Sequence, residues 1–288
     1  MYKLINVRNI DNVELDGYFF DANSQTCILH IPGFGGAFDR LPEVMGEYFQ
    51  SRGISYLCGL TQGAYHNHEY KKYNSDGSVS VKLGGSMYED FDESKDDIEA
   101  FVLYLKNLGY KEIYILGHSL GCNKVLYYSK EYNSNLIKGI ILLAPQDFSQ
   151  MVSIPIHKEM LIEAELNMKS GEPYKILTQK FLGFAPMSSQ TFYKFATGKN
   201  QHNFNYTNTD DNFETLLAID KPILFIMGDK DPAFEKNKEE KMMILLENVK
   251  NKYDKFSYII IPNGRHSFND LENVVAQYVF DFIGNTKC

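Results

Sequence analysis

The pentapeptide Gly117-His118-Ser119-Leu120-Gly121 fits G-x-S-x-G, a pattern that can present a serine hydroxyl as a nucleophile. It follows the apolar run Glu112-Ile113-Tyr114-Ile115-Leu116 and precedes a helical pattern that begins near Leu120. In that setting the serine stands on a sharp strand-to-helix turn, where side chains on the flanking glycines would collide. The helix N-terminus behind Ser119 favours negative charge developing on a substrate oxygen. A serine here could instead cap the helix; the strand before it and the helix after it favour the nucleophile. Two other groups have weaker support. His66-Asn67-His68-Glu69 offers metal-ligand types in a polar loop with no third spaced ligand, so no metal is expected. Cys122 lies three residues past Ser119, where it faces helix packing, and the pattern offers it no histidine.

A strand-turn-helix unit needs a sheet around it. Short apolar runs with turn signals after them occur at Thr26–Ile31, Ile54–Leu60, Glu112–Leu116, Ile137–Ala144, Pro222–Met227 and Phe256–Ile261. Several are nearly continuous Ile/Leu/Val stretches, as parallel strands covered on both faces require. Val13–Asp21 alternates around Asp16-Gly17 and reads as a small hairpin. Between the runs lies helical periodicity. Ile98, Phe101, Val102, Leu105 and Leu108 share one face, and Gly109 supplies a stop. Helices also fit Leu41–Ser51, Leu120–Tyr132, Lys236–Glu247 and Asn269–Phe282, with Lys236–Lys241 a solvated face. The alternation predicts an α/β fold with a mostly parallel central sheet and helices on both faces.

Two stretches interrupt it. Gln62–Gly85 is polar, carries the turn signal Asn74-Ser75-Asp76-Gly77, and reads as an excursion beside the sheet's C-terminal edge. Gln146 to about Asn212 is longer than one crossover helix needs. It is rich in Met and aromatics, among them Met151, Met160, Met168, Phe181, Phe184, Met187 and Phe192. It reads as a helical cap, which divides the chain into a core of 1–145 and 213–288 and a cap of 146–212. Met187 and Phe184 are candidates to line an apolar substrate pocket or to form plain cap core.

With these residues in place, the chain resembles the α/β-hydrolase superfamily over essentially its whole length. The resemblance implies a Ser, acid, His order, with the acid in a loop after a late strand and the histidine after the last. Ser119 is then the nucleophile. His266, in Pro262-Asn263-Gly264-Arg265-His266-Ser267-Phe268, matches the base. The acid loop holds both Asp229 and Asp231 in Gly228-Asp229-Lys230-Asp231-Pro232, and the family's spacing selects Asp231, three positions past the strand-ending glycine. Asp229 is expected to bond local backbone N–H groups. Leu29-His30-Ile31-Pro32-Gly33-Phe34-Gly35-Gly36 resembles the family's oxyanion segment, which implies donors at the N–H groups of Phe34 and Leu120. Pro32 stands where the family often carries histidine, and His30 comes two positions earlier. The activity implied is cleavage of an ester or related acyl bond of a small, partly apolar substrate, without a cofactor. Acyl transfer, thioester hydrolysis and lactone opening share the triad. A ligand-binding protein that has lost turnover is the alternative from another class.

Composition sets outer bounds. Of 288 residues, 44% are apolar and 23% charged, which excludes a disordered or collagenous chain. Lys+Arg 29 against Asp+Glu 37 gives a net charge of −8, which argues against nucleic acid as a partner. Cys27, Cys58, Cys122 and Cys288 form no C-x-x-C pair and read as free thiols of a reducing compartment. The first ten residues lack an apolar h-region and no run approaches ~18 apolar residues, so a cytoplasmic protein without membrane insertion is expected. The oligomeric state is left open.

Overall fold

A strand buried on both faces must be apolar at almost every position. β3 (Thr26–Ile31), β4 (Ser55–Gly59) and β9 (Ile223–Gly228) are buried throughout; β7 (Glu112–His118) and β8 (Ile137–Leu143) are nearly so. The computed structural model describes residues 1–132, 134–148, 154–198, 214–232 and 239–286. In it these strands join β1 (Lys3–Arg8), β2 (Glu14–Phe20) and β10 (Phe256–Ile261) in one eight-stranded sheet, in the order β1-β2-β4-β3-β7-β8-β9-β10. β1 and β2 are antiparallel to their neighbours, and every pairing from β4 to β10 is parallel. Successive side chains of β7 alternate between the sheet's faces. Ile113 and Ile115 pack under α2 (Ser94–Asn107), α3 (Leu120–Glu131), α6 (Glu214–Leu217) and α7 (Glu239–Lys252). Tyr114 and Leu116 pack under α1 (Arg40–Gln50) and α8 (Glu272–Thr286). The expected α/β architecture is thus present, with its C-terminal helix placed three to four residues later than the sequence suggests.

One expectation is overturned. Asp16-Gly17 is not a hairpin turn: both residues lie inside β2, where Gly17 pairs with Ile5 of β1 and with Gly59 of β4. A Cβ on Gly17 would stand 3.0 Å from the side chains of Ile5 and Leu57, so the glycine serves close packing between strands. The turn falls earlier, at Asn9–Asn12, where the Asn9 side chain accepts from the N–H groups of Asp11 and Val13.

The 62–85 excursion contains β5 (His68–Tyr73) and β6 (Val79–Gly84), antiparallel around the Asn74–Gly77 turn. Buried Asp97 of α2 ties it down, accepting from the Gln62 N–H at 2.8 Å and from the side chains of Gln62 and Asn9. Burial pushes that carboxyl up to about 6, against those three hydrogen bonds. Within 146–212 lie α4 (Pro155–Lys169) and α5 (Ser189–Thr197). Their buried residues Met160, Ala164, Phe192 and Phe195 form a third cluster with Leu120 and Tyr127 of α3. Met151, residues 199–212, Lys236 and Cys288 lie outside the described residues, as do the side chains of 239–242. Among the described residues no helix is long and apolar enough to cross a membrane.

Candidate active site

β7 ends in the turn that carries Ser119, whose backbone stands at φ 54° and ψ −124°. The glycines around it are required by close approach. A Cβ on Gly117 would stand 2.5 Å from backbone atoms of Gly121, and one on Gly121 would meet the backbone carbonyl of Ile31. Ser119 occupies the N-cap position of α3, yet its side chain makes no capping hydrogen bond. The hydroxyl is directed to His266, with Oγ 2.9 Å from Nε2. The hydroxyl is therefore turned away from the helix end and toward the histidine.

His266 comes from the loop after β10, and its Nδ1 lies 2.7 Å from Oδ2 of Asp231 in the loop after β9. A carboxylate only accepts, so Nδ1 carries the proton and donates it, which leaves Nε2 to accept from the Ser119 hydroxyl. Asp231 is 1% exposed. All three residues stand at C-terminal ends of parallel strands, the place where open α/β sheets form their crevices. The two loops are strapped together: Lys230 N–H donates to the Gly264 carbonyl at 2.9 Å and Asp229 N–H to that of Ile261 at 3.1 Å. Asp229 does bond backbone N–H, though not locally; its Oδ1 accepts from Asn263 across the gap at 2.7 Å.

Gly33 lies against Ser119, since a Cβ there would come 2.8 Å from Ser119 Cβ and 3.0 Å from the His118 carbonyl. The backbone N–H groups of Phe34 and Leu120 have no acceptor among the described residues. The Phe34 ring packs on Phe181 and Phe195, with centroids 5.4 and 6.3 Å away, so α5 and the stretch around Phe181 rest on the glycine loop. Met187 is fully buried in that same cluster, whereas Phe184 is 58% exposed and stands outside it. His30 stays inside β3, hydrogen-bonded to the Tyr56 hydroxyl, and burial holds its imidazole well below its ordinary range. His66 meets Ser86 at 3.1 Å, while His68 packs on the rings of Tyr65 and Tyr70. Cys122 is buried and its thiol is aimed at the carbonyls of Gly117 and Leu143.

Residues 50–283 match the family described as a protein of unknown function, DUF1749. The chain belongs to that family. By structure it is similar to Est1E from Butyrivibrio proteoclasticus, with 17% identity, a TM-score of 0.62 and 98% of each chain covered. It is similar also to the α/β hydrolase GrgF from Penicillium sp. sh18, at 16% identity and a TM-score of 0.66 over 99% of both chains. A thermostable carboxyl esterase from Bacillus coagulans matches at 13% identity and a TM-score of 0.70, over 99% of this chain and 98% of that one. A search of curated proteins returns no match. The DUF1749 chain has the α/β-hydrolase fold.

Two contacts around this DUF1749 site are long-range and carry no motif. His118 Nε2 lies 2.8 Å from the His266 carbonyl; a carbonyl only accepts, so Nε2 bears the proton. Burial and the neighbouring His266 hold His118 down at about 4, so it stays neutral while fixing the loop of His266. On α3, buried Lys124 pairs with buried Glu89 and donates to Thr61 Oγ1 at 3.0 Å. A lysine amid the apolar Cys122-to-Tyr128 stretch was the available sign of a buried ion pair.

Proposed function

We propose that the protein is a serine hydrolase that cleaves a carboxylic ester of a small substrate, with Ser119, His266 and Asp231 as its triad. The observation that carries this reading is the Ser119 hydroxyl, released from helix capping and 2.9 Å from a histidine whose other nitrogen is 2.7 Å from a buried aspartate. Ser119 Oγ attacks the acyl carbon as His266 Nε2 takes its proton. The N–H groups of Phe34 and Leu120 hold the oxyanion of the tetrahedral intermediate. As the C–O bond breaks, Nε2–H protonates the departing alkoxide. Water then gives a proton to Nε2, attacks the acyl-enzyme, and releases the acid with Ser119 restored. Asp231 fixes the Nδ1–H tautomer and stabilises the imidazolium. No step calls on a cofactor. The 146–212 segment acts as a cap, a reading supported by Phe181 and Phe195 packing on Phe34. The carboxyl esterase among the fold neighbours supports ester over other acyl bonds. The buried free thiols of Cys27, Cys58 and Cys122 support a cytoplasmic setting.

A fluorophosphonate probe tests the reading: it labels Ser119, and p-nitrophenyl acetate turnover disappears in Ser119→Ala. Labelling elsewhere, or none in folded protein, would overturn it.

A further inference from the structure

Beyond the triad, His266 also forms one wall of an open cleft of about 460 Å³, lined besides by Lys230, Pro232, Arg265, Ser267 and Asn269. Two of these residues are cations, and Ser267 and Asn269 add hydrogen-bond donors. None of these described residues is acidic, on a chain whose acids outnumber its bases 37 to 29. Among the described residues, the carboxylates adjacent in sequence are turned to other partners. Asp229 accepts from Asn263, Asp231 from His266, and Asp270 pairs with Arg40. Among the described residues neither Lys230 nor Arg265 has an acidic partner, while nine other cations of the chain do.

The backbone positions that carry the two cations are also held in a fixed relation. Lys230 precedes the triad acid and Arg265 precedes the triad base, on loops joined by the Lys230 N–H to Gly264 carbonyl bond. Gly228 and Gly264 pack so closely that a Cβ on Gly264 would stand 2.9 Å from the Gly228 Cα. The loop backbones are therefore set before any ligand arrives, which lowers the cost of binding.

We infer that this cleft binds an anionic group, a carboxylate or a phosphate, carried on the alcohol portion of the substrate. The inference rests on the serine-hydrolase reading, because that chemistry decides which portion lies here. His266 Nε2 must reach the leaving oxygen to protonate it, so the alcohol portion runs along the His266 wall. Arg265 presents a planar fork that fits either anion, and Lys230 adds a second positive charge.

The test compares 3-carboxy-4-nitrophenyl acetate with 4-nitrophenyl acetate, each kcat/KM divided by that ester's hydroxide rate to remove leaving-group differences. The corrected ratio is expected to favour the carboxylate ester and to fall with added salt. It is expected to drop about tenfold in Arg265→Ala and to invert in Arg265→Glu, with Lys230→Ala acting in the same direction. Stronger competition by inorganic phosphate than by acetate would assign a phosphate as the natural anion; the reverse would assign a carboxylate. A wild-type ratio near one, or a ratio unmoved by salt and by all three variants, overturns the anion site alone. Fluorophosphonate labelling of each variant shows that it is folded. Absence of turnover and labelling in the wild type would instead sink the hydrolase reading beneath it.

Discussion

Asp231→Asn is the substitution that bears most directly on the proposed triad. In the native arrangement a carboxylate that is 1% exposed accepts the Nδ1 proton of His266 at 2.7 Å. An asparagine in the same rotamer presents either a weaker neutral acceptor or an amide donor. In the second case the imidazole proton moves to Nε2, which can no longer accept from Ser119 Oγ 2.9 Å away. The imidazolium formed during acylation also loses the counter-charge of the buried carboxylate. Loss of orientation and charge together is worth about 10²–10⁴ in kcat. At about 1.4 kcal/mol per decade that is roughly 3–5.5 kcal/mol of transition-state stabilisation, with KM little changed. Asp229→Asn is the internal control. Its carboxylate accepts from Asn263 N–H, a bond that an amide oxygen can still make, so the cost should stay under about tenfold. The assay is steady-state turnover of p-nitrophenyl acetate beside a thermal melt of each variant. The opposite ranking would transfer the triad role to Asp229. An Asp231→Asn enzyme within a few-fold of wild type would refute the reasoning itself.

Three further outcomes follow from geometry. Gly33→Ala places a methyl 2.8 Å from Ser119 Cβ, so the Phe34 N–H is displaced and kcat falls at least about tenfold, while overpacking costs about 1–3 kcal/mol; unchanged kcat would remove Phe34 from the oxyanion hole. Lys124→Met leaves Glu89 charged and unpaired in the interior and should cost about 3–5 kcal/mol in urea unfolding, with Lys124→Met/Glu89→Gln recovering most of it; equal losses in both would mean that the charges are not coupled. His118 titrates near 4 when folded against 6.5 when free, so the unfolded chain binds more protons between those values. Its contribution is complete above pH 6.5 and fades as pH falls toward 4. The stability gap between wild type and His118→Gln should therefore shrink over that window, and a gap independent of pH would show that His118 is not held neutral.

The sequence made the sheet legible because strands such as β3 and β9 are buried on both faces and carry almost no polar residue. The short, solvent-lying β1 has no such mark, and a glycine kept small for Ile5 and Leu57 passed for a turn. Ser119 was legible because the strand, the turn and the helix that make the site are contiguous in the chain. His266 and Asp231 could be placed only through the family's order and spacing. The partners of His118, Asp229 and Lys124 lie 148, 34 and 35 or more residues away, and no local pattern encodes such pairs. Phe184 is a case of composition misleading position: it shares the aromatic character of the 146–212 stretch, yet it faces outward while Met187 is enclosed.

The backbone of Ser119, at φ 54°, lies in a region that side chains disfavour, at a cost of order 1–3 kcal/mol. The fold therefore carries an instability at the one residue that the proposed chemistry cannot replace. Glycine at that position would relax the turn and leave the scaffold intact, but without a nucleophile. Selection for stability alone thus points away from activity. The strained turn is thus the one place in the fold where stability and the proposed turnover pull in opposite directions.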